Sequence, residues 1–273
     1  MPATAFFLAL AAAFVHALWN VLLARARDPQ AATAVALVVA VVVFAPVAAL
    51  TWDVHAGVWP FVVVSSCLQL LYFVLLAAAY RRAPLSVVYP LARGAAPVLV
   101  LLIGVIVLGK SSSWGQVCGV LLVGAGIMLV RGFRSGDRAG FAFGLSIATV
   151  IAAYTLVDKH GITHAGPIPY LELTMVLPAT AYATAMWRTK GMPALRAEFG
   201  ISTIAAGIAT FTAYALVLAA LERASAASVA AVRETSVVIA ALLAGRVLKE
   251  RVGPVRLAGA VLVAAGVALV SLA

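Results

Sequence analysis

The stretch Tyr89-Pro-Leu-Ala-Arg-Gly-Ala-Ala-Pro97 places an arginine, a glycine and two prolines inside an apolar run from about residue 84 to residue 108. A later apolar run contains a similar interruption, Ala230-Ala-Val-Arg-Glu-Thr-Ser236. A charge at the centre of a bilayer costs at least ~2.5–3.5 kcal/mol, so an intramembrane arginine normally faces protein or a water-filled cavity. Arg93 and Arg233 therefore mark a candidate substrate path.

The composition is that of a polytopic membrane protein. Apolar residues make up 65% of the 273 residues and charged residues only 10%, with a mean hydropathy of +1.12. Soluble domains are nearer half apolar and a quarter charged. The net charge of +10 does not indicate nucleic-acid binding, because loop arginines and lysines set membrane orientation and no basic run is interleaved with aromatics. Cys67 and Cys118 lie in apolar segments and suggest packing, not a disulfide. No Lys or Arg precedes the first apolar run, so we expect no cleavable signal peptide.

A membrane-spanning helix needs about 20 mainly apolar residues, and ten stretches of the chain meet this rule. The predicted spans are Thr4–Leu23, Ala32–Leu50, Trp59–Tyr80, Pro84–Leu108, Trp114–Val130, Gly140–Val157, Ile168–Trp187, Ile201–Leu221, Ala224–Ala244 and Leu257–Leu272.

The charges in the predicted loops indicate the orientation. Fourteen Lys and Arg residues follow the odd-numbered spans, whereas the other side holds only Lys110, Lys159 and Arg223. By the positive-inside rule, both termini lie outside the cytoplasm. We expect this orientation in a bacterial-type inner (plasma) membrane.

The chain also contains an internal repeat. A shift of 140 residues superimposes Arg93 on Arg233, Gly119 on Gly259 and Gly126 on Gly266, and a shift of 135 puts Trp19 over Tyr154. Five helices per half force the second half to enter the membrane inverted, and inverted repeats place binding sites near the midplane between the halves. The sequence therefore predicts an all-α membrane protein of ten transmembrane helices, built as two inverted five-helix repeats at residues 1–131 and 140–273. The aligned glycines predict a close approach of helices 5 and 10.

Two motifs at the ends of the halves add to this pattern: Ala79-Tyr-Arg-Arg-Ala-Pro-Leu-Ser-Val-Val-Tyr-Pro90, and Leu248-Lys-Glu-Arg251 followed by Gly259 and Gly266. Together with the two five-helix halves, they resemble the drug/metabolite transporter superfamily, EamA type. One departure is Gly109-Lys110-Ser111, where that family usually has Gly-Glu-Arg.

The resemblance implies an exporter or exchanger of a small metabolite such as an amino acid. The resemblance leaves the substrate open. Separately, the residue patterns lead us to expect no enzymatic activity and no cofactor. A lipid or glycolipid flippase, a transport-accessory subunit and a cationic drug efflux protein remain alternatives. We expect a monomer or a homodimer.

On predicted helix 1, His16, Trp19 and Asn20 share one face because they are spaced i, i+3, i+4. Such a polar stripe should face the bundle interior, since lipid cannot satisfy its hydrogen bonds. It is either a cavity wall that binds substrate or a set of interhelical hydrogen bonds.

Other polar residues give weaker candidates. Gln69 and Tyr72 share a face of helix 3, and Gln69 could equally bond to another helix. Tyr154 and Asp158 share a face of helix 6, where the alternative for Asp158 is a solvated ion pair with Lys159. Tyr214 on helix 8 is a further candidate lining residue.

Glu172 is predicted in the first turn of helix 7, where an acid suits a helix N-terminus whatever its function. His160 and His164 are four residues apart, but Gly161 and the following Gly166-Pro167 argue against a helix that presents them to a metal. We therefore expect no metal site. Pro90 and Pro97 predict a kink beside Arg93.

The arginines bear on the charge of the substrate. Arg233 and Glu234 are adjacent, so on a regular helix they point ~100° apart and are poorly placed to pair. Pairing Glu234 with Arg93 instead leaves Arg233 without a protein partner, unless Glu172 or Asp158 reaches it.

With Trp19, Tyr89 and Tyr154 nearby, this arrangement predicts a small zwitterion or anion: an amino acid, an organic acid or an aminophosphonate. We further hypothesise that Glu234 carries a coupling proton. The alternative is a permanently ionised Glu234 that only neutralises an arginine.

Overall fold

The computed structural model describes residues 1–23, 26–82, 85–131, 138–239 and 254–273. Within these ranges every named element is a helix. The ten α-helices are α1 Ala3–Leu23, α2 Pro29–Leu50, α3 Trp59–Arg82, α4 Leu85–Ile106, α5 Trp114–Arg131, α6 Arg138–Gly161, α7 Pro167–Ala197, α8 Ile201–Arg223, α9 Ala226–Arg233 and α10 Pro254–Leu272, with a short 3-10 turn at Ala56–Val58.

Most of these helices agree with the predicted spans in type and place. By length and composition, five stretches of the described residues can cross a membrane: Ala3–Asn20, Pro29–Leu50, Ala56–Ala79, Arg138–Gly161 and Ile201–Arg223. Shorter apolar helices follow at Leu91–Ile106, Trp114–Leu129 and Leu257–Leu272. The chain is therefore all-helical, as predicted.

Helix α7 is longer than its predicted span, which ended at Trp187. The helix is interrupted at Gly191, whose φ of 79° and ψ of 164° are not helical, and a second helical segment runs on to Ala197. Only glycine adopts this conformation without steric cost, so Gly191 lets the chain change direction between the two segments. Most of the predicted loop 188–200 is therefore helix.

The predicted ninth span, Ala224–Ala244, is interrupted. Helix α9 ends at Arg233, and the backbone N–H of Glu234 bonds back to the carbonyl oxygens of Ala231 and Val232. Helical backbone resumes at 235–239. The rest of this span and the Leu248–Arg251 motif lie outside the described residues. By contrast, α4 is continuous through Pro90 and Pro97.

The packing of the helices has the two-fold pattern that inverted repeats require. Helix α1 packs on α8, and α6 packs on α3; helix α2 packs on α7, and α5 packs on α10. When each helix is exchanged for its counterpart in the other half, the α1–α8 pair becomes the α6–α3 pair. The α2–α7 and α5–α10 pairs are unchanged by this exchange. The fold is therefore two five-helix repeats around a pseudo-two-fold axis.

The glycines of α5 and α10 allow a close contact between the halves. A Cβ atom on Gly119 would lie 2.7 Å from the carbonyl oxygen of Gly266, and one on Gly126 would lie 2.7 Å from that of Gly259. A larger side chain at either position would push the helices apart. The predicted close approach of helices 5 and 10 is confirmed.

The loop between α1 and α2 is tied to the end of α7. Lys190 Nζ lies 2.7 and 2.6 Å from the two carboxylate oxygens of Asp28, whose backbone N–H donates to Glu198 Oε1 at 2.9 Å. Burial alone would raise the pKa of Asp28. Hydrogen bonds from Lys190 and from the Gln30 and Ala31 N–H groups outweigh it, so the pKa lies below its ordinary value of 3.8.

Candidate functional site

Two buried arginines meet one buried carboxylate where the halves face each other. Glu234, at the end of α9, is fully buried, and its Oε2 lies 3.1 Å from Nε of Arg93 on α4. Its Oε1 lies 3.4 Å from Nη2 of Arg233. The internal repeat thus brings its two aligned arginines to the same carboxylate.

The expectation that Arg233 and Glu234 are poorly placed to pair is wrong, because Arg233 Nη2 lies 3.4 Å from Glu234 Oε1. It assumed a regular helix, whereas α9 ends at Arg233 and Glu234 lies in the turn that follows. The long arginine side chain reaches the adjacent carboxylate from there. The predicted pair of Glu234 with Arg93 is present, and it is the shorter of the two contacts. A carboxylate between two guanidinium groups is the arrangement expected of an acid that neutralises arginine.

The polar stripe of α1 faces this centre. His16 Nε2 lies 2.7 Å from Arg93 Nη2, and the Trp19 indole N–H lies 3.0 Å from His16 Nδ1. A neutral imidazole has one N–H and one acceptor nitrogen, so only one of these two donors can bond to it. Asn20 donates to the backbone carbonyl oxygen of His16 at 2.8 Å, within its own helix. Two N–H groups are therefore directed at the His16 ring, which has one acceptor nitrogen when it is neutral.

Ser236 also belongs to this centre and was missed by the sequence reasoning. Its hydroxyl oxygen accepts a hydrogen bond from Arg93 Nη2 at 3.3 Å. The available signal was its spacing of three residues from Arg233, which on a regular helix would place both on one face.

A second polar centre lies around Asp158 on α6. The Asp158 side chain is fully buried, and it accepts hydrogen bonds from Ser65 at 2.5 Å, from Tyr170 at 2.8 Å and from Tyr214. The alternative of a solvated ion pair with Lys159 is wrong, because Lys159 donates to the carbonyl oxygen of Leu221.

The sequence reasoning identified Asp158 and Tyr214 but missed Ser65 and Tyr170. Gln69 donates to Ser65 Oγ at 2.9 Å, a bond within α3 that links it to the Asp158 centre. This i, i+4 pair on α3 is the signal that could have drawn Ser65 into the prediction.

Tyrosine rings connect the second centre to its surroundings. Tyr154 contacts Tyr72 edge-to-face at 6.4 Å between ring centroids, and Tyr214 at 6.0 Å. Tyr154 also interacts electrostatically with Arg233 and Arg93. It therefore stands between the arginine centre and Asp158.

The remaining candidates are less well connected. Glu172 lies in the second turn of α7 and not in the first, because the helix begins at Pro167. It is buried, and its Oε2 has no hydrogen-bond partner among the described residues. Tyr89 lies on α4, and its side chain is outside the described residues.

His160, in the last turn of α6, and His164, in the loop that follows, make local contacts. His160 Nδ1 lies 2.8 Å from the carbonyl oxygen of Leu156, and the rings of both His160 and His164 stack on Phe61. In the part of the chain that the structure describes, no cluster of three or more His, Cys, Asp or Glu residues could hold a metal ion.

Comparison with known proteins assigns the family. A sequence model of the EamA-like transporter family matches the chain twice, over residues 3–132 and 138–272. The chain belongs to this family. No curated protein matches the sequence. A solved structure entitled only "Crystal structure of protein" matches with a TM-score of 0.80 and 16% identity, covering 100% of this chain and 99% of the other. At that identity the likeness shows the fold alone.

Membership of the EamA-like family gives the general activity. Its members are transporters of the drug/metabolite type and not enzymes. The chain is therefore an integral membrane transporter with a small-molecule substrate, made of two EamA-like repeats.

Proposed function

We propose that this EamA-like protein transports a small organic anion or zwitterion, of the size of an amino acid, whose carboxylate binds Arg233 at the break in α9. In this proposal alternating access exposes the site between the repeats to each side of the inner membrane in turn. The protein then works as an exporter or exchanger, as a monomer or homodimer, with both termini outside the cytoplasm.

The state of Arg233 supports the proposal most directly. Its side chain is buried, yet its one ion contact among the described residues is the 3.4 Å approach to Glu234, which lies closer to Arg93. Its Nε is buried and has no hydrogen-bond partner in the described parts of the chain. Leaving a buried donor unsatisfied is costly, and a carboxylate can take two parallel N–H bonds from one guanidinium. A ligand carboxylate would satisfy this group.

The hydrogen-bond donors around His16 also support an anionic or zwitterionic substrate. Trp19 and Arg93 both direct N–H groups at its ring, which can accept only one of them. A ligand with several acceptor oxygens relieves this shortage, whereas a simple cation adds more positive charge beside two arginines. The site therefore favours an anion over a cationic drug.

The aromatic residues and remaining acids provide for the rest of the ligand. Trp19 and Tyr154 offer ring surface next to the arginines, and Tyr72 lies behind Tyr154. The amino group of a zwitterion would need an acceptor. Glu172 Oε2 has no hydrogen-bond partner among the described residues, and Glu234 Oε2 has the ion contact with Arg93 Nε at 3.1 Å. We propose these two carboxylates as the ammonium side of the site.

A binding screen tests the proposal on the purified protein. Ligand-induced shifts of the thermal unfolding midpoint would be measured for amino acids, dicarboxylates, aminophosphonates, quaternary amines and lipid headgroups. We expect stabilisation by a carboxylate- or phosphonate-bearing compound, and loss of that stabilisation in Arg233→Gln. Arg223→Gln is the matched control, because Arg223 is exposed at the end of α8 and pairs with Glu222. Stabilisation by quaternary amines or lipid headgroups alone would support the alternatives and reject the proposal.

A further inference from the structure

The Asp158 centre has no counterpart in the first repeat. The shift that superimposes Trp19 on Tyr154 places Asp158 over Leu23, an apolar residue. Asp158 is thus a fully buried carboxyl group that the repeated fold does not require, and it calls for a separate explanation.

The partners of Asp158 are suited to a carboxyl group that changes its charge. Its three hydrogen-bond partners are the hydroxyl groups of Ser65, Tyr170 and Tyr214. A hydroxyl can donate to a carboxylate or accept from a protonated carboxyl. The network can therefore satisfy Asp158 in either state. Glu234 differs, because it faces two guanidinium groups that can only donate.

The groups around Asp158 come from every helix that packs near it. Helix α3 presents Ser65, α7 presents Tyr170 and α8 presents Tyr214, all neutral. Helix α4 presents Arg93 to Tyr154, one turn before Asp158. On α6 itself, Lys159 is directed to the carbonyl oxygen of Leu221.

Helix α9, which carries Arg233, packs against α6, and the positive charge of Arg233 acts on Asp158. The same guanidinium is the one proposed above to bind the substrate carboxylate. When that carboxylate neutralises Arg233, the positive potential that favours an ionised Asp158 falls. Binding of the anion then favours binding of a proton, and the reverse holds because coupling between two sites is reciprocal.

We propose that Asp158 is a proton-binding site whose occupancy is coupled, through Arg233, to anion binding at the break in α9. The proton site stands on the hydroxyl network, and only the coupling rests on the proposed function. The proton adds to the Asp158 carboxylate, and no other bond is made or broken. The loaded transporter then carries the anion and the proton in the same half-cycle. An inward proton gradient therefore opposes net export, and of the two proposed directions exchange is favoured.

Infrared difference spectroscopy of the purified full-length protein as a function of pH tests this. The protonated carboxyl gives a C=O stretching band. We expect one such band to be absent in Asp158→Asn and unchanged in Glu222→Gln, a control carboxylate that pairs with Arg223 at the end of α8. Tyr214→Phe keeps the carboxyl but removes one partner, so the band should persist at a shifted frequency even if Asp158→Asn folds poorly.

Arg233→Gln imitates a neutralised Arg233 without any ligand, and we expect the Asp158 band to appear at higher pH in this variant. If no band depends on Asp158 at any pH where the protein is folded, the proton site is overturned. If the band is present but Arg233→Gln leaves its pH dependence unchanged, the coupling is overturned. Neither result depends on whether an anion binds. Failure of this proposal can therefore be distinguished from failure of the proposed function in the binding screen.

Discussion

At the scale of single residues, Glu234 stabilises the two buried arginines. It is fully buried and contacts both Arg93 and Arg233. Removing one partner of a buried ion pair leaves an uncompensated charge and costs about 3–5 kcal/mol. We expect Glu234→Gln to lower the thermal unfolding midpoint well below that of Glu222→Gln, a change in a partly exposed pair. Equal midpoints for the two variants would show that Glu234 does not stabilise the arginines.

The sequence predicted the charged members of the site better than the neutral ones. Arg93, Arg233 and His16 stand out because a charged or polar side chain in an apolar run must have a partner. Ser65, Tyr170 and Ser236 do not stand out, because a hydroxyl can bond within its own helix and gives no sign of a distant partner. The contact of Arg233 with Glu234 was missed for another reason: it depends on a helix break that periodicity cannot reveal.

At the scale of helices, the contact between α5 and α10 depends on the absence of side chains. A Cβ at residue 119 would meet the Gly266 carbonyl oxygen at 2.7 Å, whereas one on Gly104 of α4 would meet nothing within 4 Å. Overpacking costs about 1–3 kcal/mol, while alanine in a helix is favoured over glycine by about 0.5–1 kcal/mol. We expect Gly119→Ala to destabilise the purified protein and Gly104→Ala to leave it unchanged or stabilise it. The same thermal shift in both variants would mean that the two helices do not depend on this close approach.

The link between the α1–α2 loop and α7 gives a pH dependence. The pKa of Asp28 is lowered in the folded protein from its ordinary value of 3.8. Its stabilising contribution is therefore fully present above pH 3.8 and is lost as the pH falls through the lower folded value. Asp28→Asn removes the pair with Lys190 but keeps a good N-cap residue for α2. We expect the variant to be less stable than the wild type near neutral pH and equal to it in strong acid. A stability difference that does not change with pH would contradict the role of this carboxylate.

Helix type and order could be predicted from hydrophobic runs alone, because the bilayer sets the length of a span. The exceptions, α7 and α9, have local causes. At Gly191 the chain changes direction and a second helical segment follows where a polar loop was expected. The turn at Glu234 divides an apolar run that reads as one span. In α9 the exception coincides with the candidate site, as is common where inverted-repeat transporters break their helices.

At the scale of the whole molecule, the loop charges predict the orientation in the membrane. Fourteen basic residues on one side against three on the other place both termini outside the cytoplasm. A reporter that works only in the cytoplasm should give no signal when fused after Ala273, and a strong signal when fused after a truncation within residues 132–137. A clear signal at Ala273 would reverse the orientation and leave the fold unaffected.

The central claim is that Arg233, at the interface of the two repeats, binds the anionic group of the substrate. Counterflow in sealed proteoliposomes, with the compound identified by the binding screen as the labelled solute, tests it most directly. The account predicts accumulation of label by the wild type and by Arg223→Gln, and none by Arg233→Gln at equal amounts of folded, reconstituted protein. Undiminished counterflow by Arg233→Gln, or selective counterflow of a simple cation that needs neither arginine, would contradict it.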